Sequence, residues 1–542
     1  MSEAGVHPKA DGRERRGAPR IATSDAMKNG VVIGLASLLA LGACGGGSTE
    51  TTTVETTDTT GQEVAEAPPP PRQREQAPPS GTPRDVHLPA IARSTLRNGL
   101  EIDTVRVGTL PVAYVRLTIR SGMAADPANL PGLSVLVAKM LKEGTRTRTS
   151  AQIAEQMEYL GADFDVFQDA SSVTIQARGL SDQLETMLEI VGDMAMSPRF
   201  DQAELDRLKR RELDRLTLQY GDPAQLARRE FYRALYGPSH PYGHVDATAD
   251  AIQRATRADL VAWHRDHFAP NNAILVVAGN VDPAAVQAAA DHALGRWRQH
   301  DVPAVTFPDV PARTGRDIVV VHRPGSAQSM FNIGNLSIRR ADPDFIGLEV
   351  ANEVLGGSPR SRLFMDLREQ RSLTYGVYSS LDDLVQPGPY RVRGSVGPDP
   401  AHPEIDRTGL AMEAFMEHLH RITTEAPAAA EIDESERYLS DSFPLTIDTA
   451  GRIAWMVGYL RIFGLPDDYW DGYRSQIRAV TPDQALAAAR AHITPDTALV
   501  VVVGDAERVV DPLRHWGPVH VIDTDGNHIA SYPLEATAPA AP

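Results

Sequence analysis

Two pairs of histidines lie close enough in the sequence to suggest a metal site. His264 and His267 are at i, i+3 on a predicted helix, and His418 and His420 lie close together on another. Imidazole is a common zinc ligand, but a zinc site takes three or four protein ligands. Neither pair has a third ligand in view, so surface or capping histidines are the favoured interpretation. We therefore expect no metal in this chain.

Other catalytic chemistries lack their sequence signals. The chain contains no G-x-S-x-G, no G-x-G-x-x-G and no P-loop, so neither a serine nucleophile nor a nucleotide site is indicated. Cys44 is the one cysteine, which excludes an internal disulfide and a cysteine-based metal site. The net charge of −17 argues against non-specific nucleic-acid binding.

The surroundings of Cys44 indicate a targeting signal. The apolar run Val31–Leu41 is too short for a comfortable membrane span and ends in small residues before Cys44. This pattern resembles the lipobox of bacterial lipoproteins, in which the cysteine is acylated and becomes the mature N-terminus. A short transmembrane anchor is the alternative, and translation starts at Met1 or at Met27. Gly45 follows the cysteine where a retention signal would have Asp, which favours an outer-membrane anchor facing the periplasm.

The elements that must position any site follow a disordered tether. Residues 1–44 are the expected signal, and 45–92 are Thr- and Pro-rich and unable to bury a core. The folded body repeats itself, because the strand Ala273–Gly279 corresponds to Ala498–Gly504 at an offset of 225. Each repeat mixes hairpin-like strands with helices, which indicates α+β sandwiches with helices on one sheet face. We expect an N-terminal domain at 93–300, a C-terminal domain at 314–522 and a tail at 523–542, with a linker at Trp297–Arg313.

Several short motifs, in order, resemble the insulinase/pitrilysin family of metallopeptidases, in its short two-domain form related to mitochondrial processing peptidase. The helix Pro131–Thr145 provides the central frame of this resemblance. The other motifs are Arg97–Leu100, Leu160–Ala162, His240–Gly243, Phe268–Asn272, Leu355–Gly357, Ser361–Phe364 and Leu367–Tyr375. The resemblance implies two homologous metallopeptidase-like α/β sandwich domains in tandem.

In that family, the motif H-x-x-E-H supplies two zinc ligands and a general base. Val135 and Lys139 stand at the two histidine positions of this chain, and Ala138 stands at the base. The family's spacing places the third ligand at Arg215 or Leu216, in the long helix. Because all of these functions are missing, we expect no zinc and no catalytic residue in this chain.

The resemblance also implies what the chain retains. Arg371 and Tyr375 match the family's Arg/Tyr pair, which approaches the substrate peptide from the second domain; both side chains can donate hydrogen bonds to a carbonyl or an oxyanion. We therefore expect a substrate-contacting subunit that forms a heterodimer with a zinc-bearing homologue, and that binds the peptide as an added strand. A non-catalytic scaffold or peptide-binding lipoprotein of the same fold is the alternative.

Overall fold

A computed structural model describes residues 87–399, 401–402 and 405–535. The predicted signal, Cys44 and most of the tether lie outside these residues. All described residues belong to one compact unit. No helix among them is long and apolar enough to cross a membrane.

The described strands form two mixed sheets, one in each half of the chain. The first sheet contains β1 (Ile91–Thr95), β2 (Glu101–Arg106), β3 (Val112–Ile119), β4 (Asp163–Gln168), β5 (Val173–Leu180) and β6 (Ala273–Gly279). The second contains β7 (Asp317–His322), β8 (Ser329–Leu336), β9 (Thr374–Leu381), β10 (Pro389–Val396), β11 (Leu499–Gly504), β12 (Val519–Ile522) and β13 (His528–Tyr532). The two-domain mixed α/β fold expected from the sequence is therefore confirmed.

The two sheets share one strand order, which accounts for the repeat in the sequence. The first is ordered β1-β2-β6-β3-β5-β4 and the second β13-β12-β7-β11-β8-β10-β9. In each sheet the repeated strand, β6 or β11, lies between a parallel and an antiparallel neighbour. The differences are at the edges, where β1 begins within the predicted tether and β13 lies in the predicted tail.

The helices complete each half. They are α1 (Leu133–Met140), α2 (Ser150–Tyr159), α3 (Leu184–Met196), α4 (Gln202–Tyr220), α5 (Pro223–Tyr236), α6 (Ala249–Arg254), α7 (Arg257–His267), α8 (Pro283–Leu294), α9 (Phe345–Asn352), α10 (Arg362–Phe364), α11 (Thr408–Thr424), α12 (Ala429–Ser442), α13 (Ala450–Phe463), α14 (Tyr469–Ile477), α15 (Pro482–His492) and α16 (Ala506–Arg514). The matching helices α7 and α15 are each preceded by an N-cap threonine, Thr256 or Thr481, whose side chain accepts a hydrogen bond in a capping box. Helices α9 and α10 continue as π-helical segments, Glu353–Gly357 and Met365–Gln370.

Each sheet is covered by its own half on one face and by the other half on the second face. β6 and β11 are buried along their whole length, which requires cover on both faces. Helix α13 packs on β3 and β6, and helix α5 packs on β8 and β11. Within each half, the half's own helices therefore cover one face of the sheet, as expected. The other face is covered by a helix of the opposite half, α13 on the first sheet and α5 on the second.

Polar contacts also tie the halves together. Asp103, on β2, is almost fully buried and accepts a hydrogen bond from Arg461 Nε of α13 at 2.7 Å. Tyr236, at the end of α5, donates to the carbonyl oxygen of Pro387 at 2.7 Å. The predicted linker is packed as well, because Val305 and Phe307 contact the apolar cluster beneath α5. The two halves therefore form one continuous packed body.

Candidate functional site

Helix α1 carries the three positions that correspond to the zinc motif. Its predicted apolar stripe is buried in the core of the first half, and the stripe consists of Leu133, Leu136, Val137, Met140 and Leu141. Val135 and Ala138, on the other side of the helix, are buried too, because α1 packs against α4, α7 and β4. Of the three motif positions, Lys139 alone has a side chain that reaches solvent. The helix is therefore a core element on nearly all sides.

Lys139 contacts a buried carboxylate on α4. Its Nζ donates to Glu212 Oε1, and Arg215 Nε donates to Glu212 Oε2 at 2.7 Å. Glu212 is 5% exposed, so each of its oxygens is held by a cation in a largely dry place. We refer to Lys139, Glu212 and Arg215 as the ion triad. Leu216, the other position considered for a third ligand, is buried in a small apolar cluster.

The electrostatics of the ion triad favour a charged glutamate. Burial alone raises the pKa of Glu212, but the hydrogen bonds and charges of Lys139 and Arg215 outweigh it, and the pKa lies below its ordinary value. Burial also lowers the pKa of Lys139, which Glu212 offsets only in part. The ammonium therefore compensates the buried carboxylate next to the positions where the resemblance implies metal ligands.

A zinc ion does not fit these positions. Val135 and Ala138 have no ligand atom, and an ammonium at Lys139 repels a cation. The nearest carboxylate, Glu212, has both oxygens engaged by nitrogen donors. These residues therefore provide no ligand set for zinc, and they do not support a zinc-dependent step at these positions.

The histidine pairs do not form alternative metal sites. His264 Nε2 is 2.7 Å from the carbonyl oxygen of Ala195, and burial lowers the pKa of His264 to about 4. His267 packs on the indole of Trp263 instead. His418 and His420 contact different aspartates, Asp366 and Asp496. Each histidine therefore has its own packing or hydrogen-bonding role.

Two groups that the sequence did not reveal bring acids and a histidine together at the surface. Glu185 and Glu189 of α3 approach His292 of α8, and Asp342 and Asp344 approach His492 of α15. His292 and His492 each lie within ion-pair distance of one of these acids. The acids are exposed or partly exposed, and such pairs are ordinary surface contacts.

The predicted substrate-contacting residues lie in the second half, on an irregular segment. Arg371 ends the π-helix Met365–Gln370, and Tyr375 is in β9. Between them, Ser372 has a backbone φ of +51°. The four-residue spacing is therefore not a helical turn. A π-helix followed by a left-handed non-glycine residue is costly, and such strain clusters at functional sites.

The two side chains differ in their surroundings. Arg371 donates from Nε to Asp366 Oδ1 at 2.9 Å and from Nη2 to Glu417 Oε2 at 3.0 Å. Tyr375 is 85% exposed, and the Arg368 guanidinium lies 4.9 Å from the centre of its ring. A tyrosine is amphipathic and such exposure leaves its ring and hydroxyl open to a partner. Sequence reasoning missed Asp366 and Glu417, since neither belongs to a motif.

A buried acid lies on the other π-helical segment. Glu353 is the first residue of Glu353–Gly357 and is almost fully buried. Burial raises its pKa to about 7, although a hydrogen bond from Ser358 lowers it in part. This glutamate therefore changes protonation near neutral pH.

Comparisons with known proteins match both halves of the chain. The model of the insulinase family, peptidase family M16, matches residues 106–236, and that of the peptidase M16 inactive domain matches residues 254–439. An uncharacterized zinc protease of Mycobacterium leprae is 28% identical over 305 residues, which are 55% of this chain and 67% of that protein. Another, of Streptomyces coelicolor, is 24% identical over 404 residues, or 74% of this chain and 86% of that protein.

Solved structures show the same fold. A crystal structure of a peptidase M16 inactive domain from Pseudomonas fluorescens has a TM-score of 0.70 at 28% identity, with 77% of this chain and 98% of that chain covered. A protease from Helicobacter pylori has a TM-score of 0.71 at 17% identity, with 77% of this chain and 100% of that chain covered. The second likeness concerns the fold alone.

Proposed function

Because the chain belongs to the insulinase family, peptidase family M16, we propose that it is the substrate-contacting subunit of a heteromeric zinc peptidase and binds no zinc itself. The single observation that carries this proposal is the ion triad. Lys139 and Arg215 hold Glu212 at the place where the family motif would gather ligands. A peptidase built on this chain needs its zinc in another polypeptide.

The second half supplies the residues that would contact a peptide. Tyr375 presents its hydroxyl to solvent, and Arg371 presents the part of its guanidinium that faces away from its two carboxylates. Both groups can donate hydrogen bonds to a peptide carbonyl, and such bonds strengthen when negative charge develops on the oxygen. A zinc-bearing homologous subunit would supply the hydrolytic chemistry, and this chain would hold the peptide against it.

The proposed location is the cell envelope. The lipobox-like sequence ending at Cys44 supports acylation of that residue, and two or more acyl chains make a stable anchor. The Thr- and Pro-rich stretch 45–92 is long enough to hold the folded body away from a membrane surface. A lipid-anchored protein on the periplasmic side of an outer membrane is the corresponding proposal.

A non-catalytic scaffold or peptide-binding lipoprotein is the second candidate. The observation that favours it is the pairing of Arg371 with Asp366 and Glu417, since an arginine that is already compensated also suits a purely structural role. Fold alone does not separate the two functions, because one fold serves many.

The deciding experiment compares this chain, a homologue from the same genome with an intact H-x-x-E-H motif, and their mixture. Peptide cleavage and bound zinc are measured for all three. We expect zinc only with the homologue and clearly higher activity in the mixture. A mixture no more active than the homologue alone would support the scaffold and end the subunit proposal.

A variant series then tests the two contact residues. Arg371→Ala with Tyr375→Phe should lower the activity of the mixture by about 100-fold while its zinc content stays the same, since losing an oxyanion donor costs about that much. Arg360→Ala is the matched control, because Arg360 is a highly exposed arginine of the same half that is paired with Glu434. An unchanged rate in the double variant would remove the role given to Arg371 and Tyr375.

A further inference from the structure

The Arg371 side chain is held on one edge only. Its backbone N–H donates to the carbonyl oxygen of Asp366 at 2.8 Å, its Nε to Asp366 Oδ1 and its Nη2 to Glu417 Oε2. A guanidinium has five N–H donors in a rigid plane. Among the described residues none accepts a hydrogen bond from Nη1, so the two donors on that nitrogen can bond to a ligand.

A buried histidine stands behind the carboxylate that holds Arg371. His418, on α11, is 6% exposed, and its Nε2 lies 2.9 Å from Asp366 Oδ2. A carboxylate only accepts hydrogen bonds, so Nε2 is the donor. Asp366 therefore has one oxygen fixed by His418 and the other directed at Arg371. His418 Nδ1 is buried and makes no hydrogen bond with any described residue.

The contacts that hold Arg371 are less favourable in free energy than an ordinary surface ion pair needs to be. An exposed ion pair contributes about 0–1 kcal/mol, and it needs no buried histidine to support it. The residues that support Arg371 include three unfavourable features: the unpaired buried Nδ1 of His418, the π-helix that carries Asp366, and the left-handed Ser372. Costs of this kind persist where a side chain must be kept in one orientation.

We propose that Asp366 and His418 are positioning residues that hold the Arg371 guanidinium ready for the backbone carbonyl of a bound peptide. This inference rests on the proposed peptide-contacting function. The ligand class follows from the local charge, because one guanidinium faces two carboxylates, Asp366 and Glu417. That surplus of negative charge favours a neutral carbonyl over a peptide's terminal carboxylate.

The test uses the full chain and two versions of a fluorescein-labelled decapeptide of alternating serine and valine, one amidated and one with a free carboxylate. Fluorescence anisotropy gives the Kd. His418→Leu keeps the apolar bulk but removes the donor, whereas His418→Gln keeps a donor near the position of Nε2. We expect His418→Leu to raise the Kd of the amidated peptide about fivefold or more, which is the factor that the loss of one net hydrogen bond corresponds to. His418→Gln should stay close to wild type.

A second readout does not depend on peptide binding. Phenylglyoxal modifies arginine, and the rate at Arg371 is followed by peptide mass spectrometry relative to exposed Arg360. His418→Leu should accelerate modification of Arg371 several-fold, while His418→Gln should not. His420→Gln is the matched control, since His420 is on the same helix but contacts Asp496.

The outcomes separate the two proposals. If His418→Leu leaves both the Kd and the modification rate unchanged, or if His418→Gln is as harmful as His418→Leu, the positioning role is wrong. Arg371→Ala that binds the peptide as tightly as wild type would remove the peptide contact itself and the positioning role with it. Arg371→Ala that weakens binding, together with an inert His418→Leu, would overturn the positioning role alone. Tighter binding of the free-carboxylate peptide would overturn the ligand class.

Discussion

Replacing Lys139 by methionine tests whether the ion triad has taken over a structural task in the first half. Methionine matches the aliphatic part of the lysine side chain and suits the apolar surroundings of α1, so the change removes mainly the ammonium and its hydrogen bond. Glu212 would keep Arg215 as its one remaining cation. A hydrogen bond to a charged group contributes about 1.5–3 kcal/mol, and we expect a loss of local stability of that size.

Hydrogen exchange of α1 and α4, followed by mass spectrometry, is the appropriate assay, because a chain of this size need not unfold in one step. A loss of about 1.5–3 kcal/mol corresponds to exchange about 10 to 150 times faster. In the double variant Lys139→Met, Glu212→Gln the loss should be smaller than the sum of the two single losses, since the two residues share one interaction.

Lys142→Met is the matched control. Lys142 lies two residues after the end of α1 and pairs with Asp165 of β4, but both side chains of that pair are more than a third exposed. An exposed pair contributes about 0.2–1 kcal/mol, so exchange should rise by less than about sixfold. If Lys139→Met and Lys142→Met have the same effect, the ion triad is an ordinary surface contact and the reasoning from burial is wrong.

Three further predictions concern the rest of the body. The raised pKa of Glu353 means that the folded state binds the proton of this residue more tightly than the unfolded state does, so the free energy of unfolding should fall as pH rises from about 4.5 to about 7. Denaturation midpoints measured at pH 5 and pH 7.5 should therefore differ less in Glu353→Gln than in wild type. Gly132 has a φ of +87°, and an added Cβ would lie 2.1 Å from the Cβ of Ala247. Gly132→Ala should therefore lower the local stability of α1 by about 2 kcal/mol or more, as measured by hydrogen exchange. Asp103→Asn weakens the buried pair with Arg461, which keeps Asp467 as a partner, and should cost about 1.5–3 kcal/mol of local stability; hydrogen exchange of α13 should then be about 10 to 150 times faster.

The fold could be predicted from local patterns because they repeat at a fixed distance. The runs that became β6 and β11 are apolar throughout, and the threonines that precede α7 and α15 are capping residues by type. A strand that is apolar throughout also indicates that both faces of its sheet are covered. Which helix covers the second face could not be read from them, because α5 and α13 cross between halves, and that choice depends on contacts distant in sequence.

The candidate site was less accessible to sequence reasoning. Glu212 lies 73 residues from Lys139, and only the packing of α1 against α4 brings them together. Asp366 and His418 are 52 residues apart, and neither carries a motif. The π-helix and the left-handed Ser372 have no sequence signal of the kind that a glycine or proline gives. The residues at the candidate site could be named from the resemblance, but not the contacts that orient them.

The two halves differ in what their polar residues achieve, although their sheets share one strand order. In the first half, Lys139 and Arg215 both donate to Glu212 within the ion triad, and the backbone of α1 is regular. In the second half, the matching segments carry two π-helical turns and a strained serine, and Tyr375 is left exposed. Strain and exposure of that kind do not help a fold, so they point to a ligand. This contrast between a regular α1 and a strained segment at Arg371 and Tyr375 supports the proposed substrate-contacting role over the scaffold alternative.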